Sequence, residues 1–220
     1  MSDRQILFSG EMVRALLEGG KTMTRRVFRP EPPDDFKACR WNHDERMWSW
    51  TGPGPKWVGS RYAVPRHTPG DRLWVREAWA QVTDVDRKPQ SGRCLYRADA
   101  SDNSGVRWPT VQPGDPDREV TWRPSIHMPR WASRLTLIVT DVRVERVQDI
   151  SAGDCLEEGV KPIIGPNARS ARDQFQSLWN SLNAKRGYGW DENPWVAATS
   201  FHCIQENIDD LPHHGGDGHE

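Results

Sequence analysis

Long apolar runs are missing from this sequence. No stretch of about 18 consecutive apolar residues occurs in the chain, which excludes a membrane-spanning helix. The first residues also lack a basic start followed by an apolar stretch, so no secretory signal is expected. Cysteine is scarce, and the thiols form no Cys-x-x-Cys pair; they are Cys39, Cys94, Cys155 and Cys203. Free thiols and a cytoplasmic location are therefore expected.

Lysine is also rare, in a chain whose 30 basic and 31 acidic residues give a formal net charge of -1. Only six of the 30 basic residues are lysines, so arginine, which holds phosphates bidentately and stacks on bases, supplies most of the positive charge. Five of the 31 acidic residues fall in 206–220, which has no Lys or Arg. Residues 1–205 thus carry 30 basic and 26 acidic groups, a net charge of +4, which is low for a duplex-DNA binder. With 12 Trp, the composition fits a single-stranded nucleic acid or nucleoside ligand, or else a GC-rich genome with Trp in the core.

Hydrophobic periodicity predicts an α+β protein with short helices and long loops. A strand at 6–8 leads into a helix that Ser9 caps, and an exposed connection follows at 21–26. Further strands are predicted at 72–77, 94–98, 134–146 and 195–204, and helices at 151–158 and 171–182, the latter with a stripe of Phe175, Leu178, Trp179 and Leu182. Because regular β-α-β alternation is missing, we expect one domain over 1–205, a small β-barrel with peripheral helices. It carries a Pro- and Trp-rich insertion at about 30–69 and ends in an acidic, His- and Gly-rich disordered tail at 206–220.

Two familiar kinds of site are not supported by the spacing. Gly20-Lys21-Thr22 suggests a phosphate-binding loop, but Ala15 stands where that motif needs its first glycine. Cys39, His43 and His67 lack the paired short spacings of metal ligands. We therefore expect neither an ATPase nor a metal or other cofactor.

The segment 19–26 is the most informative part of the chain. Gly19, Lys21, Thr24 and Arg26 stand at the spacings of the motif that follows the first helix in ASCH domains, a branch of the PUA-like superfamily. The strand at 6–8, the block GDRLWVRE at 70–77 and the block WRPSIHMPRWASR at 122–134 are also similar to that family, the last to phage and prophage members. The resemblance covers roughly residues 6–204 and leaves the insertion and the tail unexplained.

The resemblance implies a PUA-like barrel that binds RNA or modified nucleosides in a cleft. Some small bacterial members hydrolyse the amide of N4-acylated cytidine with a Thr, a Lys and a Glu, which correspond here to Thr24, Lys21 and Glu77. It also implies a phage- or prophage-encoded protein in the bacterial cytoplasm.

The same three residues can be assessed from their chemistry. A Thr hydroxyl needs a base within hydrogen-bond reach, and Lys21 can serve only if burial or the neighbouring Arg25 removes its charge. Glu77 shares a strand face with Leu73 and Val75, so its buried carboxylate needs a cationic partner, for which Lys21 or Arg26 is the natural candidate. The structural alternative is a buried ion pair between Lys21 and Glu77, with Thr24 capping a turn.

Candidate binding residues can hold phosphate or stack on a base; they are Arg25, Arg26, Trp79, Ser125, His127, Arg130 and Trp131. For Trp79 and Trp131 the alternative is core packing, and for His127 it is a hydrogen-bonded structural role. Three functions stay open: an N4-acylcytidine amidohydrolase, a non-catalytic module for single-stranded RNA, and a metal-dependent ribonuclease. The expected partner is single-stranded RNA or a nucleoside, with no membrane and no obligate protein partner.

Overall fold

The computed structural model describes residues 2–29, 32, 38–42, 44, 47–51, 65–83, 89–100, 122–163 and 169–212. Most of the predicted insertion and tail residues 213–220 therefore lie outside the described residues. The helices are α1 (Gly10–Leu17), α2 (Ala152–Glu157) and α3 (Ala171–Asn183). The strands are β1 (Asp3–Leu7), β2 (Met23–Val27), β3 (Ala38–Asn42), β4 (Met47–Thr51), β5 (Arg72–Arg76), β6 (Trp79–Thr83), β7 (Pro89–Tyr96), β8 (Thr136–Arg146) and β9 (Trp195–Ile204).

The chain divides into two compact units, each built from three stretches. Unit 1 comprises Met1–Ser2, Glu18–Asp71 and Ile138–Cys203; unit 2 comprises Asp3–Leu17, Arg72–Leu137 and Ile204–Glu220. The described residues form a mixed α+β structure, as the sequence predicts. No closed barrel is found among them. The single domain expected over 1–205 stays a prediction. None of the described helices has the length and apolar character needed to cross a membrane.

Unit 1 is a sheet with helices packed beside it. β2 pairs antiparallel with β9, β8 with β3, and β3 with β4, and β9 also pairs with β8. β8 buries Val139, Val142 and Val144, and the alternation of buried and less buried side chains changes phase at 140–141. Ser170 caps α3 through a reciprocal pair of hydrogen bonds with Asp173. The helix buries Phe175 and Trp179 in a core with Val147, Ile150, Cys155, Val160, Trp190 and Val196.

Unit 2 contains two strand pairs and a pair of short 3-10 turns. β1 runs parallel to β5, from Asp3 opposite Arg72 to Leu7 opposite Arg76. β6 pairs antiparallel with β7. The segment 122–134 holds 3-10 turns at Ser125–His127 and Arg130–Ala132, each preceded by a proline. Trp79, Met128 and Ala132 form the core beneath them.

Three local expectations are wrong. The segment 21–26, predicted to be an exposed connection, is largely buried and contains β2, because it pairs with β9 and finds carboxylates for its cations. Leu182 is exposed, since the buried row of α3 runs through Phe175, Trp179 and Asn183. In the described part of the expected disordered tail, Ile208 is fully buried and the Asn207 side chain donates to three carbonyl oxygens.

Candidate functional site

Lys21 is held in unit 1 between β2 and the end of α2. Its backbone forms a bridge with Glu158, and the Thr22 N–H donates to the Glu157 carbonyl at 2.8 Å. The Lys21 side chain is 1% exposed, and Nζ donates at 2.8 Å to Met23 O, Glu158 O and Glu158 Oε2. Burial lowers the pKa of Lys21, and the Glu158 carboxylate opposes that shift. Three acceptors around Nζ match the three N–H groups of a charged ammonium, whereas a neutral amine has only two.

Arg25 extends this contact into a charge cluster, which comprises Lys21, Arg25, Arg143, Glu145, Asp154 and Glu158. Arg25 Nη2 lies 2.7 Å from Glu145 Oε1 and 2.5 Å from Asp154 Oδ2, and Nη1 lies 3.4 Å from Glu158 Oε1. Arg143 Nε donates to Glu145 Oε2 at 2.8 Å, and its Nη2 contacts Asp154. Burial raises the pKa of Asp154, but the hydrogen bond from Arg25 and the charge of Arg143 outweigh it and leave the pKa lowered. The cluster therefore contains three cations and three carboxylates, and it neutralises itself.

Thr24 lies on the other face of β2. Successive side chains of a strand point to opposite faces, so Thr24 and Arg26 face away from Met23 and Arg25. Thr24 is buried and stands opposite Thr199 of β9, while Arg26 is exposed. The structure thus groups Lys21 with Arg25 and Glu158, and Thr24 with Thr199.

Glu77 belongs to unit 2 and has its own cation. Arg134 Nε donates to Glu77 Oε1 at 2.9 Å and Nη2 to Oε2 at 3.1 Å, a bidentate pair with a buried carboxylate. Arg134 also donates to both oxygens of Asp99 and stacks 3.9 Å from the centre of the Tyr96 ring. Burial raises the pKa of Glu77, and the Arg134 hydrogen bonds offset this only in part. The cation described at Glu77 is Arg134, whereas the sequence suggested Lys21 or Arg26.

The sequence reasoning missed Glu158 and Arg134. Arg134 closes the block at 122–134 that carries the family resemblance, directly before a buried strand, and that position was an available signal. Glu158 offered a weaker one, an acidic residue directly before the glycine that ends a short helix.

Three of the predicted binding residues, His127, Arg130 and Trp131, lie with Arg123 and Ile126 on a partly exposed surface of unit 2. We call it the aromatic surface; it comprises Arg123, Ile126, His127, Arg130 and Trp131. Trp131 is 48% exposed, and its ring meets that of Trp79 edge to face, with centroids 5.8 Å apart and planes at 88°. Ile126, His127 and Arg123 are exposed as well. An exposed indole on the same segment as the exposed Arg123 and the half-buried Arg130 is a combination that suits stacking on a base.

Trp79 and Ser125 have supporting positions. Trp79 is 1% exposed and packs in the core, the alternative given for it above, so it braces Trp131 and presents no face to a base. The Arg123 guanidinium lies 5.3 Å from the centre of the Trp79 ring. The Ser125 carbonyl accepts a hydrogen bond from Arg76 Nε at 3.0 Å, which fixes the first 3-10 turn.

Thiols and metal-ligand groups add no further site in the described part of the chain. All four cysteines are free, as expected, and burial raises the pKa of Cys39 to about 12. The His, Cys, Asp and Glu side chains of the described residues form no group that could hold a metal ion.

Comparison with known proteins leaves the family unassigned. No family model matches the chain, and no curated protein matches it. A solved structure that aligns with it is that of protein EF3133 from Enterococcus faecalis V583, described as a DUF984 protein. The alignment covers 97% of this chain and 86% of that one, with 10% sequence identity and a TM-score of 0.39, too low to argue for a shared fold.

Proposed function

We propose that this protein binds single-stranded RNA, or a nucleoside of that class, on the aromatic surface of unit 2. The observation that carries the proposal is the exposure of Trp131, whose ring is braced edge to face by the buried Trp79. A large indole left in water is unusual for a residue type that is highly buried on average, and exposed apolar surface marks interaction sites. The resemblance to ASCH domains, with their PUA-like barrel, agrees with this ligand class.

The side chains around Trp131 suit the two parts of a nucleotide. A base stacked on the exposed indole face gains about 1–3 kcal/mol, and any base can do so because every base has a π-face. Arg123 and Arg130 lie on the same segment as Trp131, and a guanidinium group is suited to hold a phosphate. Binding of this kind weakens with salt, since each phosphate contact releases counterions.

The test is the affinity of a fluorescent 12-nucleotide RNA, measured by anisotropy at two salt concentrations. Trp131→Ala should weaken binding by about five- to 150-fold, the range that corresponds to loss of one stacked base. Leu182→Ala is the matched control, because Leu182 is equally exposed at 47% but lies on α3 of unit 1. Equal affinities for wild type and Trp131→Ala, or affinity that does not depend on salt, would refute the proposal.

A second candidate function is hydrolysis of an N4-acylcytidine amide by Thr24, Lys21 and Glu77. Its support is the resemblance to ASCH domains, since the burial of Lys21 and of Glu77 is already explained by their ion pairs with Glu158 and Arg134. Since Nζ of Lys21 is surrounded by three acceptors, Lys21 must first lose its proton, for which Glu158 is the adjacent acceptor, before it can take one from Thr24.

Release of cytidine from N4-acetylcytidine tests this second candidate directly. Thr24→Ala should abolish the release, whereas Thr199→Ala, the residue opposite on β9, should retain it. No product from the wild type, or equal rates for the two variants, would remove the catalytic role.

A further inference from the structure

Arg130, on the aromatic surface, is held by two carboxylates of unit 2. Its Nη2 lies 2.6 Å from Asp3 Oδ2 and 2.7 Å from Asp209 Oδ1, and its Nε donates to the same Asp209 oxygen at 2.8 Å. Asp3 is already engaged by Arg72, whose Nε and Nη2 donate to its two oxygens at 2.8 Å. Two guanidinium groups therefore contact two carboxylates, and the second negative charge, which makes this group neutral, comes from Asp209.

The two carboxylates differ in their position. The Asp3 side chain is largely buried under Arg72, whereas that of Asp209 is mostly exposed. Asp209 comes from the acidic segment at the end of the chain, in which 206–220 carry five acidic residues and no Lys or Arg. Its contact with Arg130 is thus an exposed ion pair, which contributes little to stability and is replaceable.

The segment that carries Asp209 is nonetheless anchored beside Trp131. Nδ2 of Asn207 lies within hydrogen-bond distance of the carbonyl oxygens of Arg130, Trp131 and Ser133, at 3.0, 3.2 and 2.7 Å. Ile208 is fully buried, and the Asp209 N–H donates to Asn207 Oδ1 at 2.9 Å. This anchor keeps a carboxylate at the guanidinium without needing the ion pair itself.

We infer that Asp209 occupies the place of a nucleic-acid phosphate at Arg130, so that the acidic C-terminal segment competes with the ligand for the aromatic surface. A carboxylate and a phosphate present the same kind of acceptor oxygens to an arginine. When a phosphate displaces Asp209, Arg130 keeps Asp3 as its buried partner and directs the freed N–H groups to the ligand. This inference rests on the proposed function, since it concerns regulation of the same site.

The experiment compares Asp209→Asn with Asp210→Asn by anisotropy of a labelled 12-nucleotide oligouridylate at low salt. Both substitutions remove one negative charge from neighbouring exposed positions, but only Asp209 is described in contact with Arg130. Asp209→Asn should bind about two- to fivefold more tightly than Asp210→Asn, the range expected from loss of an exposed ion pair. The advantage should shrink as salt rises and vanish when Arg130→Ala is added.

The outcomes separate this inference from the proposal on which it rests. Equal affinities for the two aspartate variants, with RNA binding that depends on Trp131, overturn the competition and leave the proposed function in place. A gain in Asp209→Asn that persists with Arg130→Ala also overturns it, because the gain then does not act through Arg130. If wild type and both variants fail to bind RNA, the proposed function fails and the competition fails with it.

Discussion

Replacing Glu158 by alanine should destabilise the protein severely. Glu158 is the carboxylate that contacts both Lys21 and Arg25, whose side chains are fully buried, so its removal leaves two cations with less counter-charge in a low-dielectric environment. Breaking a buried pair from one side costs about 3–5 kcal/mol. With a urea m-value of about 2 kcal/mol per molar, a loss of 3 kcal/mol lowers the unfolding midpoint by about 1.5 M.

Urea unfolding followed by tryptophan fluorescence measures this effect, with Glu157→Ala as the control. Glu157 is the adjacent acidic residue of α2 and is exposed, so its replacement should change the free energy of unfolding by no more than about 0.5 kcal/mol. Adding Lys21→Met to Glu158→Ala should restore part of the lost stability, because it removes the uncompensated ammonium. If Glu158→Ala unfolds at the same urea concentration as Glu157→Ala, the charge cluster is not the structural element we describe.

Two further predictions concern other parts of the fold. The hydrogen bond from Arg72, opposed by burial and assisted by Arg130, lowers the pKa of Asp3 from 3.8 to about 2. A lowered pKa means that ionised Asp3 stabilises the fold above pH 4 and that this contribution disappears as the pH falls through 2. Stability measured by urea unfolding should therefore fall less steeply between pH 4 and 2 in Asp3→Asn than in wild type, and parallel curves would contradict this. Ser170→Ala removes the N-cap of α3 and should lower the free energy of unfolding by about 1 kcal/mol. Ser177→Ala, in the same helix, should have little effect, and equal losses would rule out the cap as the cause.

Elements with strong local patterns could be predicted from the sequence. The last strand is found at Trp195–Ile204, as predicted, because this stretch is rich in aromatic and β-branched residues and follows a proline. The apolar spacing of Phe175, Leu178 and Trp179 placed α3 to within one residue.

The segment 21–26 failed because its burial depends on distant residues. Five of its six residues are charged or carry a hydroxyl next to a charged residue, which locally favours exposure. The carboxylates that make burial possible, Glu145, Asp154 and Glu158, lie 120 to 137 positions further along the chain. The same limit applies to Glu77, whose partner Arg134 is 57 positions away. Residue type could therefore suggest which side chains need a charged partner, but not which distant residue supplies it.

The interleaving of the two units has a consequence for how this protein can be made. Asp3 forms an ion pair with Arg130, which is 127 positions further along the chain, and Arg130 forms one with Asp209, a further 79 positions along. During synthesis, unit 1 lacks β9 and unit 2 lacks its Asn207–Asp209 anchor until residues 195–209 have been made. Neither unit can therefore complete its fold before those residues are synthesised, and no single continuous segment of the chain contains either unit by itself.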